Sequence, residues 1–132
     1  MLPPDVVLDP LLRGWLQEDI GRGDRTTMGL GAIANQVHKA IWIAKAPGIT
    51  AGLPNADRVF TLLDPHTNWV SLGQVGSGCE AGAEIAQVQG PLSSLLMGER
   101  VALNLAMRLS GIATLPRQYV DKIADLPAFI AL

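Results

Sequence analysis

Leu95-Leu96-Met97-Gly98-Glu99-Arg100-Val101-Ala102-Leu103-Asn104, followed by Ser110-Gly111-Ile112-Ala113-Thr114, is the stretch whose reading decides the fold. Gly90-Pro91 stands before it, and proline suits a first helical position because the N–H it lacks would have no helical partner there. At about 100° per residue, Leu92, Leu95, Leu96, Ala102, Leu103, Ala106 and Leu109 share one broad face of a helix over 92–110. Glu99 falls near the middle of that face. Val101 and Leu105 lie on the other side, so the helix is expected to be covered on two sides. Arg100, Asn104 and Arg108 form a narrow polar stripe at i, i+4 and i+8. A carboxylate inside an apolar face must find a charged or hydrogen-bonding partner or take up a proton. From the residues alone, Glu99 and Arg100 read either as a structural ion pair, with snorkelling side chains at a subunit contact, or as charges that meet a ligand.

Upstream, Asp9-Pro10 reads as a helix cap and first helical residue. Leu11, Leu12, Trp15 and Leu16 then share one face up to Ile20-Gly21. Glu18 to Thr27 is a charged, glycine-punctuated loop. Its three acids, Glu18, Asp19 and Asp24, alternate with arginine, which favours a self-paired turn over a metal site. Gln36 to Lys45 reads as a strand, Ile49 to Gly52 as a shorter one, and Pro54 to Leu63 as a helix. That helix is expected to turn Ala56, Val59, Phe60, Leu62 and Leu63 inward and Asp57, Arg58 and Thr61 outward. Asp64-Pro65 closes it. Thr67 to Leu72 and Ala83 to Gln89 read as strands separated by the glycine-rich Gly73 to Gly82. Thr114 is placed to cap a further helix running to about Asp125. The final Ala128-Phe129-Ile130-Ala131-Leu132 has the unbroken apolar character of a buried parallel strand, and ending there reads as a cut. The fold class expected is α+β, with a small, mostly antiparallel sheet and flanking helices, followed by the start of another unit.

The chain has 132 residues, enough for one domain or one domain with the beginning of a second. Apolar residues make up 48% and charged residues only 17%, so a large buried contact with another subunit or domain is expected. Net charge is −2 and Lys and Arg form no run, which argues against a nucleic-acid surface. Cys79 stands alone, so no internal disulfide is possible and a reducing cytoplasm is the expected compartment. Flanked by Gly78 and Glu80, with no His downstream, Cys79 reads as an inert turn residue and not a nucleophile. Met1 to Pro10 lacks the features of a signal peptide, and the longest apolar runs are too short for a membrane span. His38 and His66 read as surface or turn residues.

Taken together, Leu16-Gln17-Glu18-Asp19-Ile20-Gly21-Arg22-Gly23-Asp24-Arg25-Thr26-Thr27, Gly48-Ile49-Thr50-Ala51-Gly52-Leu53-Pro54, Gly82 to Gly90, and the 95–104 and 110–114 segments resemble the N-terminal part of quinolinate phosphoribosyltransferase. The segments follow the family's order over nearly the whole chain. Gly76-Ser77-Gly78 departs from the acidic-Gly turn usual there, which touches only a hairpin. A related branch associated with molybdenum transport is similar but usually lacks the Glu99-to-Asn104 run.

The resemblance implies an N-terminal α/β sandwich over 1–110, then a connector helix and the first strand of a truncated C-terminal α/β barrel over 111–132. It implies a homodimer paired head to tail. It also implies a pentosyltransferase joining quinolinate to phosphoribosyl pyrophosphate with Mg²⁺, releasing pyrophosphate and carbon dioxide. The family's Thr-Arg-Lys-Thr-Thr-Pro-Gly motif, its His-Arg pair and a further Lys belong to the barrel and have no counterpart here. No catalytic residue and no metal ligand is therefore expected in this chain, which alone should be inactive. The site residue carried over is Arg100, expected to hold a quinolinate carboxylate in the neighbouring subunit's barrel. Two alternatives stand beside this reading. One is a catalytically dead remnant acting only in dimerisation. The other is a lipoyl- or biotinyl-like carrier suggested by the Val75–Gly78 and Gly82–Val88 hairpin, which lacks the lysine such domains modify.

Overall fold

The computed structural model describes residues 3–23 and 29–124. Asp24 to Thr27, the end of the expected connector and the apolar run Ala128 to Leu132, with its expected barrel strand, lie outside the described residues.

Helix α1 spans Asp5–Gly23 and a short 3₁₀ turn spans Gly31–Asn35. Strands β1 (Val37–Ile43) and β2 (Gly48–Ile49) follow, then α2 (Leu53–Leu63). Strands β3 (Asn68–Ser71), β4 (Gly78–Cys79) and β5 (Glu84–Pro91) lead into α3 (Leu92–Lys122). The sheet is antiparallel in the order β1-β5-β3, with β2 and β4 forming a separate two-stranded ladder. This is the expected small antiparallel sheet with flanking helices.

The period of two in β5 explains its central place. Ala86, Val88 and Gly90 are buried on one face, while Gln87 and Gln89 turn to the other. Ala86 lies opposite Trp42 of β1 and Val88 opposite Trp69 of β3. Trp42 and Trp69 meet edge to face with centroids 5.1 Å apart, and Phe60 of α2 stacks at 6.0 Å on Trp69. That aromatic cluster ties the sheet to the helical layer. Val37, Ile41, Ile43 and Val70 occupy the opposite, solvent-facing side.

Helix α1 buries Leu8, Leu12 and Leu16, an i, i+4, i+8 stripe. It begins a turn earlier than the Asp9-Pro10 pair suggested. Pro10 sits inside the helix, and Asp9 uses its carboxylate to hold α2 instead of capping α1. Leu11 and Trp15, expected on the inner face with Leu12 and Leu16, are exposed, because the earlier start lets Leu8 complete the buried stripe.

Helix α2 is close to expectation, with Leu53, Asn55, Ala56, Val59 and Phe60 buried. Its N-cap is Gly52 at φ 75°, which a side chain rarely adopts. A Cβ there would lie 2.9 Å from Leu109 Cδ1 and 3.2 Å from the Leu105 carbonyl oxygen, so glycine lets this segment lie directly on α3.

Three further expectations are corrected. The 92–110 helix and the separate helix beginning at Thr114 are one helix of 31 residues. Pro116 is carried inside it, and the carbonyl of Ile112 loses its helical donor. Within Gly73 to Gly82, Gly78–Cys79 pairs with Gly48–Ile49, so Cys79 belongs to a strand and not to a loop. The buried face of α3 is made by Ser94, Leu95, Gly98, Val101, Ala102 and Ala106, rotated from the one counted by hydrophobicity. The reason is Gly98, whose missing side chain admits α2. A Cβ there would lie 2.8 Å from Phe60 Cε1 and 2.9 Å from Leu63 Cδ1. Close contact at Gly98 turns Val101 inward and leaves Glu99 exposed at the rim.

Candidate functional site

The rotation of α3 sets which groups reach solvent. Arg100, Asn104 and Arg108 are all exposed, so the i, i+4, i+8 stripe exists as a surface feature. Glu99 is exposed beside it and makes no ion pair among the described residues, so its carboxylate needs no buried partner. The two adjacent charges do not pair with each other, consistent with neighbours in sequence pointing about 100° apart on a helix.

Arg100 is held from another element. Its Nη1 donates to Asp19 Oδ1 on α1 at 3.1 Å, across 81 residues of sequence. The arginine side chain is 70% exposed and the aspartate only 20%. The contact uses one guanidinium nitrogen, and among the described residues no other hydrogen bond engages the Nε and Nη2 groups. A planar Nε–Nη2 edge is the geometry that grips a carboxylate through two parallel hydrogen bonds.

Arg58 shows what a closed fork looks like in the same chain. Its Nε donates to Asp9 Oδ1 at 2.8 Å and its Nη2 to Asp9 Oδ2 at 2.7 Å, with Asp5 at 3.9 Å beyond. The hydrogen bonds from Arg58 hold the Asp9 carboxyl below its ordinary range, and the same bonds raise the Arg58 guanidinium. Arg58 is committed to joining α1 and α2, whereas the Arg100 side chain is largely exposed and engaged through Nη1 alone among the described residues.

The base under the Arg100 stripe is stitched by two motif segments that sequence reading left without a role. Ser110 Oγ accepts from Ala51 N–H at 2.9 Å and donates to the Ala51 carbonyl at 3.1 Å, as a neighbouring strand residue would. Thr114 Oγ1 accepts from Ile49 N–H at 2.9 Å and donates to the Ser110 carbonyl at 2.7 Å. Thr50, buried between these contacts, donates from Oγ1 to the Gln74 carbonyl at 2.8 Å. The Ser110-to-Thr114 and Gly48-to-Gly52 motifs are therefore two halves of one contact. Short polar residues alternating with glycine at both places were the signal available in the sequence.

The remaining candidates stand apart from the stripe. His38 is exposed on β1, and His66 is exposed in the turn after α2, where its N–H donates to Asp64 Oδ1 at 2.9 Å. Of the acids weighed as a metal site, Asp19 serves Arg100 and Asp24 lies outside the described residues. Among the described residues no group of three or more His, Cys, Asp or Glu side chains could hold a metal ion. No helix among them is long and apolar enough to cross a membrane.

Residues 24–110 match the family described as quinolinate phosphoribosyl transferase, N-terminal domain. The chain is 53% identical over 126 residues to the probable nicotinate-nucleotide pyrophosphorylase (carboxylating) of Synechocystis sp., covering 96% of this chain and 42% of that protein. It is 41% identical over 114 residues to the human nicotinate-nucleotide pyrophosphorylase (carboxylating), covering 86% of this chain and 37% of that protein. The solved structure of the nicotinate-nucleotide pyrophosphorylase from Francisella tularensis superposes with a TM-score of 0.85 at 29% identity, over 93% of this chain and 44% of that one. The chain thus spans about two-fifths of the length of these relatives.

Proposed function

The chain belongs to the quinolinate phosphoribosyltransferase family, through its match to the N-terminal domain, and from that premise we propose that it forms the N-terminal part of an enzyme of NAD synthesis. The reaction joins quinolinate to phosphoribosyl pyrophosphate and yields nicotinate mononucleotide, pyrophosphate and carbon dioxide. In this reading two copies pair as a homodimer, and Arg100 crosses to the partner's barrel domain to hold one quinolinate carboxylate. The exposed, singly engaged guanidinium on α3 is the observation that supports it.

The chemistry asks for such a group. Quinolinate is a dianion, and its ring must be set against the anomeric carbon of a ribose that loses pyrophosphate. A charge-assisted, two-pronged contact fixes position and angle together. Loss of carbon dioxide then leaves negative charge on the ring, which fixed cations stabilise. Arg100 is assigned the holding task. The residues that would bear on the reacting atoms belong to the barrel, so the 132-residue chain alone is proposed to be inactive.

Mg²⁺ is proposed to enter with phosphoribosyl pyrophosphate, since it is usually held by substrate phosphates, waters and few carboxylates. The carboxylates described here do not converge on one point, and no residue of this chain is assigned to the ion. The cytoplasm is the proposed compartment, in keeping with a lone cysteine.

The test is Arg100→Ala in the enzyme that carries this domain together with its barrel. The KM for quinolinate should rise about 10- to 100-fold, the scale of a lost charge-assisted contact. The KM for phosphoribosyl pyrophosphate and the circular dichroism spectrum should stay as they were. An unchanged quinolinate KM would sink the assignment.

A further inference from the structure

We propose that Asp19 is a positioning residue for Arg100, holding the guanidinium so that its Nε–Nη2 edge faces the incoming carboxylate. The inference rests on the reading of Arg100 as the quinolinate ligand and deepens it.

An arginine on an exposed helical stripe has several freely rotating bonds, and ordering them on binding costs affinity. Asn104 and Arg108, on the same stripe, have no such anchor among the described residues. Arg100 differs from them because α1 supplies a largely covered carboxylate 3.1 Å from Nη1. The covered partner is fixed by the scaffold and the exposed partner presents the free edge. That division suits a group anchored at one end and recognising at the other.

The geometry argues against two other roles. A pair whose arginine is 70% exposed contributes too little to hold α1 on α3, and Leu8, Leu12 and Leu16 already pack α1 into the core. Nor does Asp19 occupy the recognition edge as a competing anion. Asp9 does so with Arg58, through both carboxylate oxygens, whereas Asp19 touches Nη1 through one. The second N–H pair of the fork is left for substrate.

The test is Asp19→Asn, with Asp19→Glu and a double variant with Arg100→Ala, in the enzyme that carries this domain with its barrel. Asp19→Asn should raise the quinolinate KM about fivefold, with kcat and the KM for phosphoribosyl pyrophosphate held within about twofold and an unchanged melting temperature. Asp19→Glu should recover most of the loss. In the Arg100→Ala background Asp19→Asn should add nothing, because the group it positions is gone. An unchanged or lowered quinolinate KM overturns the proposal, as does an equal rise in the Arg100→Ala background. So does loss of folding in Asp19→Asn, which marks a structural role. If Arg100→Ala itself leaves quinolinate KM unchanged, both the ligand assignment and this one fall. The two failures are told apart by that single variant.

Discussion

At the scale of the residue, Arg58 closes both arms of its fork on Asp9 while Arg100 meets Asp19 through Nη1 alone, and acid tests the closed fork. The fork from Arg58 stabilises the ionised form of Asp9, so the folded-state pKa lies below the ordinary 3.8 of a free aspartate. A lowered carboxyl pKa contributes stability that is complete above the unfolded value and is lost as pH falls through the folded value. Asp64 has the same sign, its carboxylate stabilised first by the backbone N–H of His66. Asp9→Asn should therefore lower the urea midpoint at pH 7, and the difference from wild type should shrink as pH drops below about 3.8. Paired urea titrations down this range check it, and a constant difference at all pH values would refute it. Asp57 runs the other way. Burial raises its carboxyl pKa, so its charged form works against the fold once pH climbs past the unfolded value. Asp57→Asn should leave stability at pH 7 unchanged or slightly increased, measured in the same titrations.

At the scale of the element, α3 is defined by what approaches it. Gly98→Ala would press a methyl to within 2.8 Å of Phe60 Cε1, inside the contact that joins α2 to the aromatic cluster. Overpacking of this kind should cost about 1–3 kcal/mol, read from urea denaturation. Ser110→Ala removes both hydrogen bonds to Ala51 and leaves its N–H unpartnered, which should also cost about 1–3 kcal/mol. These two contacts mark where sequence reading stopped. Helix α2 and strands β1, β3 and β5 were legible because their apolar residues recur with the period of the element that buries them. The inner face of α3 was not, because hydrophobicity counting treats Gly98 as blank when it is the point of closest approach. The continuity of α3 past Ser110 was also hidden. Ser110 and Thr114 look like helix-ending residues until Ala51 and Ile49 are brought against them from about sixty positions away. Arg100 was legible as a motif residue, while its partner Asp19 read as one acid in a self-paired turn. The distance of 81 residues between them is outside any local pattern.

At the scale of the whole molecule, the stripe that begins with Arg100 changes character along α3. Past Arg108 the same side of the helix carries Ile112, Leu115 and Tyr119, all exposed, spaced i, i+3 and i+7. The helix thus offers a polar half, suited to a charged ligand, and an apolar half, suited to burial against another body. Ile41, Ile43 and Val70 add a second apolar area on the open face of the sheet. Among the described residues the helical layer covers one face of this sheet and leaves the other open, so the low charge fraction of the sequence reappears as uncovered apolar surface and not as extra core. The 132-residue chain should consequently self-associate in solution, with the apolar half of α3 as the main driver. Ile112→Glu combined with Leu115→Glu should shift it toward monomer in sedimentation velocity at matched concentration, with an unchanged circular dichroism spectrum. Both side chains face solvent, so neither change disturbs a core contact, and helix propensity favours glutamate over isoleucine. If the association persists undiminished, the sheet face is the dominant contact, and Ile41→Lys with Val70→Lys should then abolish it. Arg100 and Asp19 lie outside both sets of changes, so their contact should survive in the dispersed protein.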